Sequence, residues 1–455
     1  MRKPHIVLYN PRAPFFTMPL ALMAVGSALD RSRYDVTIVD GRVEPDPMAR
    51  VLEATAGALC LGVSVLTGVP IRDALAVTRA VRARHPRCRI VWGGWHPSLF
   101  PEDTLREAGV DAVVVGQGED AFAEIVERFA AGETALGVAG PRPTRDINEF
   151  PEHDYGLIPV ERYFALKGER QLDYITSQGC RFRCTFCADP TVYGRSWSGL
   201  EPARIATELE RLWHRYRFTD VGFQDETFFT HAHRVAAIAE EILRRGLRFT
   251  WMATMRGDQG ARLDDDILLA CRHAGLRRVM IGLESGSQQM LDWMKKDLKL
   301  EQVFVAAEKC RRHGVAVLFN LIVGFPDEPP ESIAATLAAA KALRAIGPDF
   351  QIALFYYRPY PGTAITDDLA RRGHGLPRSL DEWAAMEDVA AVSPWVDAEK
   401  RALVDRFSFY QRIGWARPAP WRAPLQALAR WRCRRDVYGF PIEKTIVEWV
   451  RQVGA

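Results

Sequence analysis

Three cysteines lie close together in one short stretch of the chain, and their spacing could serve a metal centre. Cys180, Cys184 and Cys187 form a CxxxCxxC pattern, and none of the other cysteines among the eight in the sequence lies near them. Thiolates at this spacing on an irregular loop can converge on one centre. Four protein thiolates would close such a site, whereas three leave a coordination position open for a substrate. The sequence therefore predicts a catalytic metal site with an open position.

Two simpler interpretations remain open, namely a zinc site completed by a histidine and buried thiols without a ligand. No histidine follows at the spacing of a zinc finger, and the loop carries Arg181 and Arg183, which are of a usually exposed type. A disulfide framework is disfavoured because eight cysteines in 455 residues are sparse. The start, from Met1 to His5, also lacks the apolar core of a signal peptide. We therefore expect a cytoplasmic protein with reduced thiols.

The CxxxCxxC pattern, with aromatic Phe186 before its last cysteine and a predicted strand before its first, resembles the radical S-adenosylmethionine (SAM) superfamily. The resemblance implies that the three cysteines bind a 4Fe-4S cluster whose fourth iron is left for SAM. It also implies an external electron donor of the flavodoxin or ferredoxin type.

The composition is that of a soluble globular protein, with 48% hydrophobic residues, 26% charged residues and a formal net charge of +3. The length allows two or three domains, each large enough for its own core. No uninterrupted apolar run approaches the roughly 20 residues that a membrane-spanning helix needs.

Short apolar strands alternate with amphipathic helices from residue 5 almost to residue 360, which predicts parallel sheets built from βαβ units. The alternation is interrupted between residues 137 and 170, which are proline-rich and aperiodic. We predict an α/β protein with a flavodoxin-like or Rossmann-like domain, a linker, a partial (β/α)6 barrel and a helical C-terminal region. Their predicted boundaries are 1–136, 137–170, 171–365 and 366–455.

The first unit has five predicted strands, and the ligands of such sheets bind beyond the carboxyl ends of the strands. A nicotinamide fingerprint would need GxGxxG after the first strand, but the loop that begins at Asn10 contains no glycine. We therefore reject dinucleotide binding. The strands are predicted near Ile6–Tyr9, Val36–Val39, Leu59–Val65, Arg89–Trp92 and Ala112–Val115.

The loops of this unit resemble the cobalamin-binding domain found upstream of one class of radical SAM enzymes. The resemblance lies in an SxL motif after the third strand, two glycines after the fourth and a glycine-rich turn after the fifth. Glycines let the backbone approach a large flat ligand, and Ser64 can hydrogen-bond a buried nucleotide tail. A flavodoxin-like scaffold without a ligand is the alternative. The implied cobalamin-binding residues are Asn10, Ser64, Val65, Leu66, Thr67, Gly68, Gly93, Gly94, His96, Gly116, Gln117, Gly118 and Glu119.

One loop departs from the mutase and methionine synthase type of cobalamin domain, which places a DxHxxG motif after its first strand to ligate cobalt. Here the loop reads Asn10-Pro-Arg-Ala-Pro, so no histidine ligand comes from that position. His96 is the only histidine in the glycine loops. It either lies near cobalt as a ligand or packs within its own turn.

The second unit has six predicted strands, which suits a partial barrel with functional residues at the carboxyl ends of its strands. A cysteine loop after the first strand, an acidic turn after the second and a GLESG motif after the fourth match radical SAM proteins in order. The strands are predicted near Asp173–Ser177, Asp220–Gln224, Arg248–Thr254, Arg278–Leu283, Val315–Val323 and Phe350–Tyr357.

This match implies a set of SAM-binding residues. By resemblance, the acidic turn contacts the amino group of SAM, Glu284 and Ser285 contact its ribose, and the residues around Phe186 and Gly324 seat its adenine. A helix N-cap or a solvated turn is the alternative for each carboxylate. The implied residues are Phe186, Gln224, Asp225, Glu226, Arg256, Glu284, Ser285 and Gly324.

The family's chemistry implies that the reduced cluster cleaves SAM and that the resulting 5′-deoxyadenosyl radical abstracts hydrogen from carbon. With methylcobalamin at the same barrel mouth, we predict methylation of an unactivated carbon of a small molecule or lipid. Relatives such as the anaerobic magnesium-protoporphyrin ester cyclase use these cofactors for oxidation and ring closure, which is one alternative. A cobalamin-binding sensor with a structural cluster is the other.

Residues 366–455 are predicted to be mainly helical and carry six of the 12 tryptophans. Between Arg401 and Arg435 there are nine arginines and one acidic residue, Asp405. Trp421, Leu425 and Leu428 share one helical face near arginines 422, 430, 432, 434 and 435, a pattern compatible with an anionic membrane surface. A helix packed across the barrel is the alternative. Nucleic acid binding is not predicted, since no basic and aromatic platform repeats elsewhere.

Overall fold

The first part of the chain folds into a parallel sheet that is covered by helices. The computed structural model describes residues 3–107, 109–386, 394–416 and 420–453. The strands are β1 (His5–Asn10), β2 (Asp35–Asp40), β3 (Cys60–Ser64), β4 (Arg89–Gly93), β5 (Ala112–Val114) and β6 (Gly137–Ala139). The helices are α1 (Leu20–Ala28), α2 (Pro47–Ala54), α3 (Val69–Arg84), α4 (Trp95–Leu99), α5 (Pro101–Arg106) and α6 (Glu119–Ala130). The strand order β2-β1-β3-β4-β5-β6 is flavodoxin-like, as predicted.

Strand β1 shows why this sheet is parallel and internal. Its consecutive residues Ile6, Val7, Leu8 and Tyr9 are all fully buried, so both faces of the strand are covered. A strand covered on both faces reads as an unbroken apolar run, which is typical of parallel sheets. The carboxyl ends of β1, β3, β4 and β5 therefore meet at one edge, where their loops are brought together.

The interpretation of residues 137–170 as an aperiodic linker was wrong in two places. Residues Gly137–Ala139 form strand β6, which pairs in parallel with β5. Residues Val160–Lys167 form helix α7. Three small residues give no recognisable alternation of apolar and polar side chains, so the strand could not be read from periodicity.

The second unit is a curved parallel sheet with one small antiparallel pair. Its strands are β7 (Gln171–Tyr174), β8 (Ser177–Gly179), β9 (Trp197–Gly199), β10 (Asp220–Phe223), β11 (Thr250–Met255), β12 (Leu276–Glu284), β13 (Ala316–Val323) and β14 (Gln351–Tyr356). Its helices are α8 (Asp189–Val192), α9 (Pro202–Tyr216), α10 (Ala232–Arg244), α11 (Gly257–Arg262), α12 (Asp265–His273), α13 (Gln288–Trp293), α14 (Leu300–Arg312) and α15 (Pro330–Ile346). The sheet order β7-β10-β11-β12-β13-β14 confirms the predicted partial barrel.

The antiparallel pair β8–β9 was not predicted from the sequence. Ser177 pairs with Gly199 and Gly179 with Trp197. The pair is the base of the loop that contains the three cysteines. The first barrel strand is therefore followed by a short hairpin stem, and the sequence had been read as one longer strand from Asp173 to Ser177.

Asp173 links the two units. Its side chain is fully buried and accepts hydrogen bonds from the backbone N–H of Met18 (2.8 Å) and from Lys167 Nζ (2.6 Å). Its carbonyl accepts a hydrogen bond from the hydroxyl of Tyr155 (2.6 Å). A buried carboxylate with these partners fixes the first barrel strand against the segment between β1 and α1.

The C-terminal region is helical, as predicted, with α16 (Ala364–Arg371), α17 (Leu380–Ala384), α18 (Ala398–Gly414), α19 (Ala423–Arg435) and α20 (Ile442–Val453). Helix α17 packs back on the first unit, because Leu380, Trp383 and Ala384 share a core with the side chains of α3 and of one face of the first sheet. Within the described ranges, none of the helices combines the length and apolar character needed to span a membrane.

Candidate active site

The cysteine loop lies at the carboxyl end of β7 and is held by backbone hydrogen bonds. The N–H of Thr185 donates to the carbonyl of Met294 (2.9 Å), and the carbonyl of Thr185 accepts from the N–H of Ile365 (3.2 Å). A tight turn brings the N–H of Cys187 to the carbonyl of Cys184 (3.2 Å). The loop is therefore held by the residue after α13, Met294, and by the start of α16, at Ile365. These contacts fix the positions of the three thiols.

All three cysteines are free, with Cys184 buried and Cys180 and Cys187 half-buried. Burial raises the pKa of Cys180 to about 11 and raises that of Cys187 well above its usual value, so both are neutral thiols without a metal. In the described part of the chain, no three His, Cys, Asp or Glu side chains are arranged to hold a single metal ion. A 4Fe-4S cluster binds each thiolate at a different iron, so its ligands lie farther apart than those of one ion. The donor set and its buried position fit such a cluster, and cluster binding would release the thiol protons.

Arg256 is a buried cation that contacts this loop. Its Nη1 lies 3.8 Å from the Sγ of Cys184, and its guanidinium carbon lies 3.5 Å from the ring centroid of Phe182. The same side chain donates to Asp258 (2.9 Å) and to the carbonyl of Lys296 (2.6 Å). These contacts tie Arg256 to the cysteine loop, where a buried positive charge stabilises negatively charged sulfur, and its assignment to SAM stays a prediction.

The acidic turn after β10 divides between a structural and an open carboxylate. Asp225 accepts hydrogen bonds from the N–H of Thr176 (2.8 Å), from its hydroxyl (2.5 Å) and from that of Ser177 (2.6 Å). These bonds hold the entrance to the cysteine loop, a structural role that is neither the helix N-cap nor the solvated turn considered from the sequence, and the assignment of Asp225 to SAM stays a prediction. Glu226 accepts the backbone N–H of Gly179 (3.2 Å). Burial raises the pKa of Glu226 to about 8.

Glu284, at the end of β12, forms a buried ion pair with Lys296, whose Nζ lies 2.6 Å from Oε1. Glu284 has a backbone φ of +68°, which any residue with a side chain seldom adopts. Ser285 is fully buried, and its hydroxyl shares a hydrogen bond with that of Thr336 (3.2 Å). The ion pair with Lys296 thus places one carboxylate oxygen of Glu284, and the hydrogen bond with Thr336 turns the hydroxyl of Ser285 inward. The assignment of both residues to the ribose stays a prediction.

The two elements assigned to adenine meet in the structure. The ring of Phe186 packs edge to face with that of Phe325, with centroids 6.1 Å apart. Phe325 follows Gly324, and the carboxylate of Glu328 accepts the N–H groups of both residues (2.5 and 3.1 Å). Gln224, by contrast, donates to Asp173 Oδ1 (3.0 Å) at the barrel entrance.

At the edge of the first sheet, the predicted glycine loops surround an apolar slot of about 130 Å³. The slot is closed by Leu8, Val25 and Phe122, and Gln178 of the second unit reaches it. Burial raises the pKa of Glu119 above its usual value. A narrow slot floored by glycines fits the flat nucleotide tail of a cobalamin. The predicted residues that line it are Ser64, Gly93, Gly94, Gly116, Gln117, Gly118 and Glu119.

An adjoining cavity of about 210 Å³ lies beside the slot and is lined by Asn10, Leu66 and Trp95, among others. The side-chain Nδ2 of Asn10 is buried there, and within the described ranges it has no hydrogen-bond partner. A buried amide donor without a partner is costly in an empty protein. It fits a ligand with acceptor groups, such as the amide-bearing rim of a corrin.

Two predicted cobalamin residues, Val65 and Gly68, and also His96 lie behind the cavity walls. The N–H of Val65 donates to the carbonyl of Gly93 (2.8 Å), and Gly68 caps helix α3. His96 is fully buried between the rings of Phe100 and Trp383, and its Nδ1 lies 3.1 Å from the hydroxyl of Thr67. Burial lowers the pKa of His96 to about 4. His96 packs against Phe100 and Trp383, which favours the packing alternative considered for it, and its assignment to the cobalamin site stays a prediction.

A third cavity, of about 560 Å³, joins the two units. From the first unit it is lined by Leu66, Thr67 and Trp95, and from the barrel by Phe186 and Cys187, among others. Most of its wall is aromatic or aliphatic. The cysteine loop and the glycine loops therefore open onto the same cavity.

Comparison with known families agrees with this geometry. The B12 binding domain matches residues 8–126, and the Radical SAM superfamily matches residues 174–340. The chain is a radical SAM enzyme with a B12-binding domain.

Relatives of this radical SAM enzyme include several proteins named as methyltransferases. An uncharacterized methyltransferase of Pyrococcus horikoshii is 28% identical over 87% of this chain and 88% of its own length. The hopanoid C-3 methylase of Methylococcus capsulatus is 27% identical over 76% of this chain and 67% of its own length. The cobalamin-dependent radical SAM enzyme OxsB, solved with aqua-cobalamin and SAM bound, shares the fold with a TM-score of 0.73 and 18% identity, over 96% of this chain and 72% of that chain.

Several residues of the radical SAM and B12-binding domains escaped the sequence prediction. Trp95 follows Gly94 directly, and an apolar ring in a glycine loop could have marked it. Gln178 and Lys296 gave no signal, because their roles depend on their partners Gln117 and Glu284, which the fold brings to them. Gln178 accepts a hydrogen bond from Gln117 across the two units (3.2 Å).

Proposed function

We propose that the protein is a cobalamin-dependent radical SAM enzyme that methylates an unactivated carbon of a small molecule or lipid. The observation that carries this proposal is the cavity shared by Cys187 and by Leu66, Thr67 and Trp95. Methyl transfer requires the methyl donor and the reacting carbon to meet in one place that excludes water. The names of the relatives from Pyrococcus horikoshii and Methylococcus capsulatus support methylation over ring closure.

Each part of the chain has a proposed task. Residues 1–136 bind cobalamin, residues 171–365 bind the cluster and SAM, residues 137–170 join them, and residues 366–455 cover both. When bound, the cluster and cobalamin supply an electron for SAM cleavage and a methyl group on cobalt. Cys180, Cys184 and Cys187 hold the cluster, and Arg256 holds the loop and its charge.

We assign the SAM site to predicted residues next to the cysteine loop, of which Phe186 also lines the shared cavity. Phe186 and the backbone at Gly324 flank the adenine, and Glu226 receives the amino group. Because Glu226 has a raised pKa, a bound ammonium group would draw it into the charged form. The aromatic walls keep water from the reacting carbon.

The electron donor is proposed to dock beside the cysteine loop. Arg181, Arg183 and Arg195 surround its outer edge, and Arg183 forms a two-pronged pair with Asp297 (2.8 and 2.9 Å). Donors of the flavodoxin or ferredoxin type suit these arginines beside the cysteine loop when the donors' own surfaces are acidic.

The proposal is tested by incubating anaerobically reconstituted protein with SAM, a reductant and cobalamin, followed by mass spectrometry. We expect both 5′-deoxyadenosine and S-adenosylhomocysteine, which together indicate methylation. 5′-Deoxyadenosine alone would support oxidation or rearrangement, and the absence of both would support a sensor.

The variant Cys184→Ala should lose 5′-deoxyadenosine formation and the iron of about one cluster per chain, because two thiolates do not hold a cluster that needs three protein ligands. Cys271→Ala is the matched control, since Cys271 is a buried thiol on α12. Retained 5′-deoxyadenosine in Cys184→Ala would overturn the assignment of that cysteine.

A further inference from the structure

The end of the chain presents large apolar side chains to solvent. Phe440 is 89% exposed, Ile442 65% and Ile446 54%, with Val437 and Trp431 also exposed. Single exposed apolar residues are common, but several within one short helix–loop–helix segment mark an interaction surface. We call Trp431, Val437, Phe440, Ile442 and Ile446 the apolar tip.

The loop that carries the tip is fixed to the helices beneath it. Tyr438 is buried and stacks on Tyr410, with ring centroids 6.1 Å apart. The guanidinium of Arg432 donates to the carbonyls of Val437 (2.9 Å), Gly439 (2.9 Å) and Phe440 (3.1 Å). Tyr438 therefore points inward while its neighbours point outward, so Phe440 is held in the solvent by the fold.

The backbone of Phe440 is strained as well as exposed. Its φ is +47°, and among the described non-glycine residues with positive φ it is the one aromatic residue. A bulky side chain in this region is disfavoured, and its exposure to water gains nothing for folding. Strain that stability does not explain is a reason to look for function.

The charge around the tip is positive. Arg434 and Arg435 are exposed, and in the described part of the chain neither forms an ion pair. Among the nearby acidic residues whose side chains the structure describes, Asp436 pairs with Lys341 (2.5 Å) and Glu443 pairs with Arg432, so both are already neutralised. We call Arg434 and Arg435 the basic rim.

We propose that the apolar tip and the basic rim dock this enzyme on an anionic lipid surface. Apolar side chains would enter the acyl boundary while the arginines remain at the phosphate level, the usual arrangement of interfacial segments. The surface overlaps the one expected from residues 401–435 at Trp431, Arg434 and Arg435, and it extends beyond that range to Phe440, Ile442 and Ile446. Arg430 donates to the carbonyl of Gly414 (2.9 Å) and Arg432 is used internally, so neither faces solvent freely. The side chain of Trp421 lies outside the described residues.

The test is co-sedimentation of the full chain with vesicles of phosphatidylcholine, with or without phosphatidylglycerol. We expect binding to the anionic vesicles that weakens as salt rises. Phe440→Asn should weaken it by about tenfold, the value expected for removing one buried aromatic side chain. Arg434→Gln with Arg435→Gln should weaken it by about fivefold for each arginine.

The Phe440 variant separates binding from folding. Asparagine tolerates positive φ, so Phe440→Asn should unfold at the same or a higher temperature than the parent protein. Leu243→Ser, at an exposed apolar position of α10, and Arg311→Gln with Arg312→Gln, on α14, are the matched controls and should bind like the parent.

Equal binding to neutral and anionic vesicles would overturn the proposal. It would also fall if the tip variants bound like the controls, or if they abolished self-association in gel filtration while no form bound vesicles, because the tip would then pair with a second copy of the chain.

Discussion

Arg256 and Cys184 are in direct contact, with 3.8 Å between Nη1 and Sγ. The arginine is buried beneath the cysteine loop, and its charge lies against one of the three thiols that would hold a cluster. The contact ties a strand end of the barrel to the electronic properties of the centre above it.

Arg256→Gln should therefore lower the midpoint potential of the bound cluster. A lost charge-assisted contact of about 1 kcal/mol corresponds to about 40 mV for one electron. Potentiometric titration followed by electron paramagnetic resonance measures it. Arg262→Gln, on the same helix but exposed, is the control, and equal potentials in both variants would contradict the electrostatic role.

The Glu284–Lys296 pair allows structure to be separated from ligand binding. Glu284→Gln should cost about 3–5 kcal/mol of the free energy of unfolding, because it leaves Lys296 charged and buried without its partner. Glu284→Gln combined with Lys296→Met removes both charges and should recover most of that stability. If Glu284 binds the ribose of SAM, the double variant stays weak in SAM binding by calorimetry. Full recovery of SAM affinity would assign the pair to folding alone.

Glu226 should make stability depend on pH. Its pKa is raised from 4.5 to about 8, so the folded protein holds a proton that the unfolded chain loses near pH 4.5. This contribution is complete below the unfolded pKa and is lost as pH rises toward 8, by at most about 1.4 kcal/mol per pH unit. Denaturant unfolding at several pH values should show a flatter dependence for Glu226→Gln than for the parent. Parallel curves would contradict the raised pKa.

A substitution at Gly93 can fill the apolar slot at the edge of the first sheet, which we propose holds the nucleotide tail of cobalamin, without disturbing the fold. A Cβ at this position would meet its nearest neighbour, Val114, at an ordinary 3.5 Å, so a larger side chain extends into the slot. Gly93→Leu should reduce the cobalamin retained after desalting by at least about tenfold, measured by absorbance, while iron content is kept. Gly375→Leu, where a Cβ meets nothing within 4 Å, is the control. Normal cobalamin retention by Gly93→Leu would remove the slot from the cobalamin site.

The strands and their order could be predicted because unbroken apolar runs such as Ile6–Tyr9 have few other uses. Strand β6 could not, since Gly137–Ala139 carries no periodic signal and forms only against β5. The cysteine loop was recognisable because its chemistry lies within eight residues of sequence.

Side-chain roles were harder to predict than positions. Asp225 and Glu226 are adjacent in sequence, yet one holds the cysteine loop and the other is open, a difference that depends on Thr176 and Ser177 almost 50 residues away. His96 looked like a ligand because of its type, but its surroundings are decided by Trp383, nearly 300 residues later.

The packing of Trp383 fixes the C-terminal region to the B12-binding domain. Helix α17 follows the whole barrel in sequence, and it completes the core of the first sheet. A hinge between the domains would have to pull Leu380 and Trp383 out of that core, so the distance between the glycine loops and the cysteine loop is set when the protein folds.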